Sequence, residues 1–168
     1  MNRFIINYSP DLIARDLCDK HVVKMPLEEA QMLCTTLRLH APEYAKHTGL
    51  YRAVHQKHPC TIWAGLSRAN FEFSLEMFRW MCKEYTYRYG KTHASWRLWD
   101  ALVEGAEFVP DGLLTPHPEC FSEHTDLKSG KSWPLESYRK FYMTKQRRFK
   151  MVWTNRPVPE WFVQEEVA

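Results

Sequence analysis

Thr61-Ile62-Trp63-Ala64-Gly65-Leu66-Ser67-Arg68-Ala69-Asn70-Phe71-Glu72-Phe73-Ser74-Leu75-Glu76-Met77-Phe78-Arg79-Trp80 continues through Met81-Cys82-Lys83-Glu84-Tyr85-Thr86-Tyr87-Arg88-Tyr89 to Gly90. Ile62, Leu66, Ala69, Phe73, Met77 and Trp80 recur at i, i+4, i+3 spacing, and Arg68, Glu72, Glu76, Arg79 and Lys83 line the opposite side. That period belongs to an α-helix with one apolar stripe. Phe71, Leu75 and Phe78 lie elsewhere around it, so the spacing predicts a central helix over 61–89, packed on two sides. Trp63, Leu66, Phe73 and Met77 are expected inside, and Gly90 is a left-handed stop.

Upstream, Ser9-Pro10-Asp11 has the marks of a helix start: a capping hydroxyl, proline at the first position and an acid in the first turn. The helical pattern reaches about His40, where Ala41-Pro42 ends it. Pro26 predicts a kink, or two helices meeting between Cys18 and Pro26, because proline removes a backbone donor. Residues 1–8 form either an extended piece or a packed arm. Residues 43–60 are a polar, histidine-rich connection closing on His58-Pro59. Downstream, a shorter helix is expected over 93–104 before Gly105. A long aperiodic loop over 106–134 follows, then a basic helix over 135–153. The tail Asn155 to Phe162 is expected to dock its aromatic end onto the body. The expected fold is therefore mainly all-α: one domain over 1–168, a bundle of two long and two or three shorter helices.

A chain of 168 residues with 45% hydrophobic content can bury a real core. Neither a secretory leader nor a membrane-length apolar run is apparent, so the expected location is the cytoplasm, or the host cytoplasm for a phage chain. Cys18, Cys34, Cys60, Cys82 and Cys120 contain no CxxC pair and are read as buried reduced thiols. The net charge of +3 is unevenly spread. Arg139, Lys140, Lys145, Arg147, Arg148, Lys150 and Arg156 fall in a segment without Asp or Glu, interleaved with Tyr138, Phe141, Tyr142, Phe149 and Trp153. Cations that neutralise phosphates beside aromatic faces that stack on bases suit a DNA partner. The plainer alternative is an amphipathic helix with its aromatics in the core.

Chemistry is most legible in Asp19-Lys20-His21-Val22-Val23-Lys24-Met25-Pro26-Leu27-Glu28-Glu29-Ala30-Gln31. On a helix advancing about 100° per residue, His21, Lys24, Glu28, Gln31 and Thr35 fall within roughly 80° of arc. An imidazole, an amine, a carboxylate and an amide on one face suit general acid–base work on a polar ligand. The same spacing also describes an ordinary solvent face. Asn70, Ser74 and Arg88 either reach toward a pocket or satisfy one another in the core. The tyrosine-rich segment Tyr85 to His93 is read as an anchor for the helix end. The eight histidines show no HExxH-like spacing and there is no glycine-rich phosphate loop, so neither a metal nor a cofactor is expected.

Asp19-Lys20-His21, with Glu28 seven residues after the histidine, resembles the first helix of the phage endonuclease-V-type pyrimidine-dimer DNA glycosylases. Pro59-Cys60-Thr61-Ile62-Trp63-Ala64-Gly65 is similar to the start of that family's second long helix. The Asp-Lys-His-Val-Val-Lys-Met stretch also resembles a group of uncharacterised phage proteins. The resemblance covers patches of 12–90. It implies an N-glycosylase, with or without lyase activity, acting on a flipped base, with Glu28 catalytic and His21 beside it orienting or contacting DNA. Leu27 and Gln31 stand where the family has arginines, and Pro26 precedes the glutamate rather than following it. The family's nucleophile is an α-amine exposed by removal of the initiator. Here Asn2 is too large for efficient removal, which leaves the amine of Met1 as first candidate and Lys24 as second. Alternatively Glu28 activates water. Gln31, Arg139, Lys140, Lys145, Arg147, Arg148 and Lys150 are the expected DNA contacts. A base-modifying enzyme on the same scaffold, or a non-catalytic phage protein that binds nucleic acid or blocks a host factor, are the other readings.

Overall fold

In the computed structural model, which describes residues 2–166, the stretch 61–89 is two helices rather than one. Helices α4 (Pro59–Leu66) and α5 (Arg68–Tyr89) meet at Ser67, whose backbone is extended at φ −154° and ψ 156°. Its hydroxyl accepts the Asn70 amide and donates to the Leu113 carbonyl, so the serine caps α5 and holds the long loop at once. The break resets the helical phase. Ile62 and Leu66, expected inside, are therefore more than half exposed, while Trp63 and Met77 are buried as expected and Phe73 is half-buried. The inner residues of α5 include Phe71, Leu75, Met77, Phe78 and Met81.

The first helical stretch is likewise two elements, α1 (Pro10–Asp16) and α2 (Asp19–His40), turning at Leu17 and Cys18. Pro26 is buried inside α2, which continues past it; the two helices meet at Cys18, the N-terminal end of the expected interval. A six-residue α3 (Pro42–His47) follows. Beyond α5, Gly90 stops the helix in the left-handed region at φ +65°, as its position predicts. Residues Ala94–Leu98 form a 3₁₀ turn leading into α6 (Trp99–Gly105). Gly105 packs on α2: a Cβ there would collide with the Leu37 side chain.

The basic helix is much shorter than its sequence suggests. Helix α7 spans Leu135–Met143, a 3₁₀ turn covers Thr144–Arg147, and residues 148–153 are a turn and irregular chain rather than helix. Tertiary hydrogen bonds outweigh local propensity in this segment. Val152 O accepts the Asp19 amide at 2.7 Å, Trp153 Nε1 donates to Asp16 O at 2.8 Å, and Asp19 Oδ1 accepts the Thr154 amide at 2.8 Å. The tail is docked: Trp161 Nε1 donates to Asp16 Oδ2, and Phe162 is buried against Trp153.

Helix α5 is central, packed against α1, α2 and α4. Two apolar clusters flank it. One joins Phe4, Ile5 and Ile6 to α1, the first half of α2 and the C-terminal aromatics Phe121, Tyr138, Phe141, Tyr142, Trp153 and Phe162. The other joins the second half of α2 to Ala45, Phe71, Phe78, Leu98 and Leu102. Among the described residues there is no strand, and no helix is long and apolar enough to cross a membrane. The 106–134 loop, aperiodic apart from two 3₁₀ turns, is held by side chains. Asn70 clamps Thr115, Trp63 Nε1 donates to Pro116 O, and the Glu119 carboxylate accepts from Ser129, Gly130 and Ser137.

Candidate active site around Glu28

The turn at Cys18 starts α2 so that His21 faces inward, onto the ring of Phe4 and the hydroxyl of Tyr142. That hydroxyl accepts the Cys18 amide at 2.9 Å, leaving its own proton to donate to His21 Nδ1 at 2.8 Å. This network assigns the proton of the neutral ring to Nε2. Burial, then the charges of Lys145, Lys24 and Lys20, push the imidazole down to about 3. His21 is therefore neutral at ordinary pH, a fixed N–H donor rather than a cation.

Two turns on, Glu28 is buried, with its Oε1 3.4 Å from Lys24 Nζ. Lys24 itself is mostly exposed. Gln31 is half-buried, and Thr35 is fully buried, exchanging hydrogen bonds with both backbone groups of Val54. The polar arc on α2 is thus mainly an inward-facing surface that opens to solvent at Lys24. Three amines, Lys20, Lys24 and Lys145, act on the His21 ring beside it.

Sequence reasoning passed over two charged residues next to this arc. Arg3 sits in the N-terminal arm and Glu29 follows Glu28 on α2; both are buried, and Arg3 Nε lies 3.1 Å from Glu29 Oε2 while Nη2 pairs with Oε1. Burial opposes the charge on Arg3, but the attraction and hydrogen bonds of Glu29 outweigh it and raise its pKa. The guanidinium lies 4.9 Å over the Trp63 ring. Trp63 stacks on His117 at 4.7 Å, and His117 also packs on Phe73 and Trp133. Burial, then the charge of Arg3, lowers His117 to about 3. Arg3 Nη1, Thr61 Oγ1 and both His117 nitrogens are buried without a hydrogen-bond partner among the described residues. Buried polar groups are nearly always paired, so such a concentration marks a place where polar chemistry has been retained. The charge of Arg3 also acts on Cys60 and Cys120, whose sulfurs lie 3.7 Å apart near His58. The available signal in the sequence was an arginine directly before the apolar run Phe4-Ile5-Ile6, and a second acid on the apolar side of α2.

The predicted DNA contacts meet different fates. Arg139 Nε donates to Ile6 O at 2.9 Å and its guanidinium covers Trp161. Arg147 pairs with Glu165, Arg148 with Glu123, and Arg156 with Glu84. The acids missing from the basic segment are thus supplied from elsewhere in the chain. Lys140 and Lys150 are exposed. Lys145 is half-buried, 4.5 Å over the Phe141 ring, and its pKa is lowered by burial, then by Arg148. Met1 lies outside the described residues.

The competing polar features of α5 are structural. Asn70 donates to Trp63 O and Thr115 Oγ1, Ser74 donates to Asn70 O, and Arg88 is locked between Glu84, Asp19 and the Arg15 carbonyl. Tyr85 packs on Tyr89 and His93, an aromatic anchor at the helix end. Comparison of this chain with family models, characterised proteins and solved structures finds no match.

Proposed function

We propose that this chain is a DNA-acting enzyme of the N-glycosylase class, with Glu28 as its acid–base group. One observation carries the reading: Glu28, a buried carboxylate on α2, pairs with Lys24, which with Lys20 and Lys145 forms a group of amines around His21 on the same helix face. A carboxylate repels phosphate, so its retention beside a cationic row has a reason if it handles protons at a flipped nucleotide. The amines, with Lys140 and Lys150, hold phosphates. Arg147 and Arg148 exchange Glu165 and Glu123 for phosphate on binding, and Gln31 offers an amide to the strand.

In the proposed reaction an amine attacks C1′ of the extruded nucleotide and the C1′–N bond breaks, its electron pair leaving on the base. Glu28 accepts the proton released by the attacking amine, and its negative charge stabilises the sugar cation as it develops. The Met1 α-amine is the first nucleophile, with an unperturbed pKa of about 8. It is covalently one residue from Asn2, whose side chain donates to Cys120 O, and two from Arg3, which pairs with the neighbour of Glu28. Lys24 is the second candidate. Where neither amine acts, Glu28 activates water and the strand stays intact. Neutral His21 donates through Nε2 to the sugar–phosphate. This reading places the protein in the cytoplasm, that of the host for a phage chain.

The test uses duplex DNA carrying pyrimidine dimers or modified pyrimidines, with base release and strand scission followed separately. Base release, with borohydride trapping of a DNA–protein imine, supports the amine route; release without trapping supports water. Binding without any base release favours the base-modifying or non-catalytic readings.

A further inference from the structure

Cys60 and Cys120 are 60 residues apart in sequence, yet their sulfurs are 3.7 Å apart, and His58 offers a ring nitrogen to the same point. The three ligand atoms lie within 4.8 Å of one another. From these residues we infer a binding site for a thiophilic d¹⁰ cation of the zinc class, held by His58, Cys60 and Cys120.

The distances suit an ion better than a disulfide. Two sulfurs each about 2.3 Å from a tetrahedral zinc lie about 3.8 Å apart, close to the separation found. A disulfide needs about 2.05 Å between the sulfurs. Arg3 is a buried cation whose charge acts on both sulfurs, but the contact with Cys120 and burial hold the Cys60 thiol well above its ordinary value, so the ion itself has to displace that proton. His58 Nδ1 at present accepts the Cys60 amide at 3.1 Å, so coordination through that atom exchanges one cap bond for a metal bond. The ion displaces the two thiol protons to solvent. Three protein ligands leave a fourth position for water or another exogenous ligand.

Such an ion adds a direct link between α4 and the long loop, which are also joined by the Trp63–His117 stack and by side-chain hydrogen bonds. His58 and Cys60 start α4, and Cys120 lies midway along the long loop, just before buried Phe121. The Cys120 backbone is already fixed there, its carbonyl accepting from Asn2 and its amide facing the Tyr138 hydroxyl. Cys18, Cys34 and Cys82 lie outside the three-residue cluster and serve as controls.

The experiment is a Co²⁺ titration of the full, reduced chain, read by the thiolate-to-cobalt charge-transfer and tetrahedral ligand-field bands. The expected result is saturation at one equivalent, with bleaching by Zn²⁺. Cys60→Ala and Cys120→Ala should each raise the apparent Kd by more than the roughly 10–100-fold that loss of a supporting residue costs. His58→Ala should weaken binding and move the ligand-field bands; Cys34→Ala should change neither. Circular dichroism checks the helices in each variant. Cys120 is half-buried, so its truncation remains informative if Cys60→Ala loses structure. The inference is overturned by the absence of a saturable band, or by a band that survives Cys120→Ala in the folded chain. It is equally overturned if mild oxidation joins Cys60 to Cys120 while the reduced protein binds neither ion.

Discussion

Arg88→Met tests whether α1 and α2 are held to α5 by buried charge. The Arg88 side chain is fully buried, with Nε 2.9 Å from Glu84 Oε1, Nη1 3.1 Å from Asp19 Oδ1 and Nη2 2.8 Å from Arg15 O. Removing the guanidinium leaves two carboxylates with less compensation. Breaking a buried pair in this way typically costs about 3–5 kcal/mol. Glu84 keeps Arg156 at 3.0 Å and Asp19 keeps the Thr154 amide at 2.8 Å, which places the expected loss at the lower end, about 3–4 kcal/mol. For a domain of this size each kcal/mol moves Tm by about 2–4 °C, so a fall of about 6–16 °C is expected. Thermal melts by circular dichroism at neutral pH measure it. The deficit should persist at high salt, because a buried pair is poorly screened. Arg147→Ala, which breaks an exposed pair with Glu165, should leave the midpoint in place. A fall of less than about 2 °C in Arg88→Met, below the range set by one kcal/mol, would refute the reasoning.

Phe71→Ala, at the fully buried centre of α5, should cost about 3–5 kcal/mol through the cavity it leaves, and an unchanged denaturant midpoint would show that α5 is not central. Gly105→Ala drives a methyl into Leu37 and should destabilise by about 1–3 kcal/mol in the same assay; a neutral result would mean that α6 does not pack there as described. His21 and His117 are both held near 3, well below the 6.5 of an unfolded histidine, so the unfolded chain takes up protons first. Their contribution to stability is complete above about pH 6.5 and is lost as pH falls toward 3, on the order of 5 kcal/mol for each full swing. His117→Phe should flatten the dependence of stability on pH over that window, and an unchanged slope counts against the buried neutral ring. For DNA binding, Lys145→Ala should lower the slope of log K against log salt by roughly 0.7–0.9. Arg147→Ala should lower it less, because that guanidinium must first leave Glu165; equal slopes would contradict the pairing.

The helical class was legible because periodicity survives where packing is regular, as in Phe71, Leu75 and Phe78, and because Gly90 and Pro42 mark ends by simple sterics. The division at Ser67 was not: a serine within an apolar period is neutral until its hydroxyl finds the Leu113 carbonyl across the fold. Trp153 and Asp19 similarly take the end of the basic segment out of helix through bonds spanning most of the chain. The charge reading shows the same limit. A segment free of acids looks unpaired in sequence, but Glu84, Glu123 and Glu165 fold back onto it. At the site, the 3.6-residue period brought His21, Lys24, Glu28 and Gln31 to one face. It could not show that His21 and Glu28 are buried, or that Arg3, Glu29 and His117 gather next to them. Arg3 and His117 come from elements other than α2, and no local spacing relates them to Glu29. The Cys60 and Cys120 pair was hidden for the same reason.

Glu28→Gln, followed in parallel for DNA binding and for single-turnover base release, bears most directly on the proposed chemistry. The amide keeps the size and polarity of the buried side chain but cannot exchange a proton, and it removes a negative charge beside Lys24. The variant is expected to melt like the parent and to bind duplex as tightly or more tightly. Base release on a substrate that the parent processes should fall at least about 100-fold, the scale of losing a general acid–base group. Full turnover by Glu28→Gln on that substrate would contradict the assignment and remove Glu28 from the chemistry.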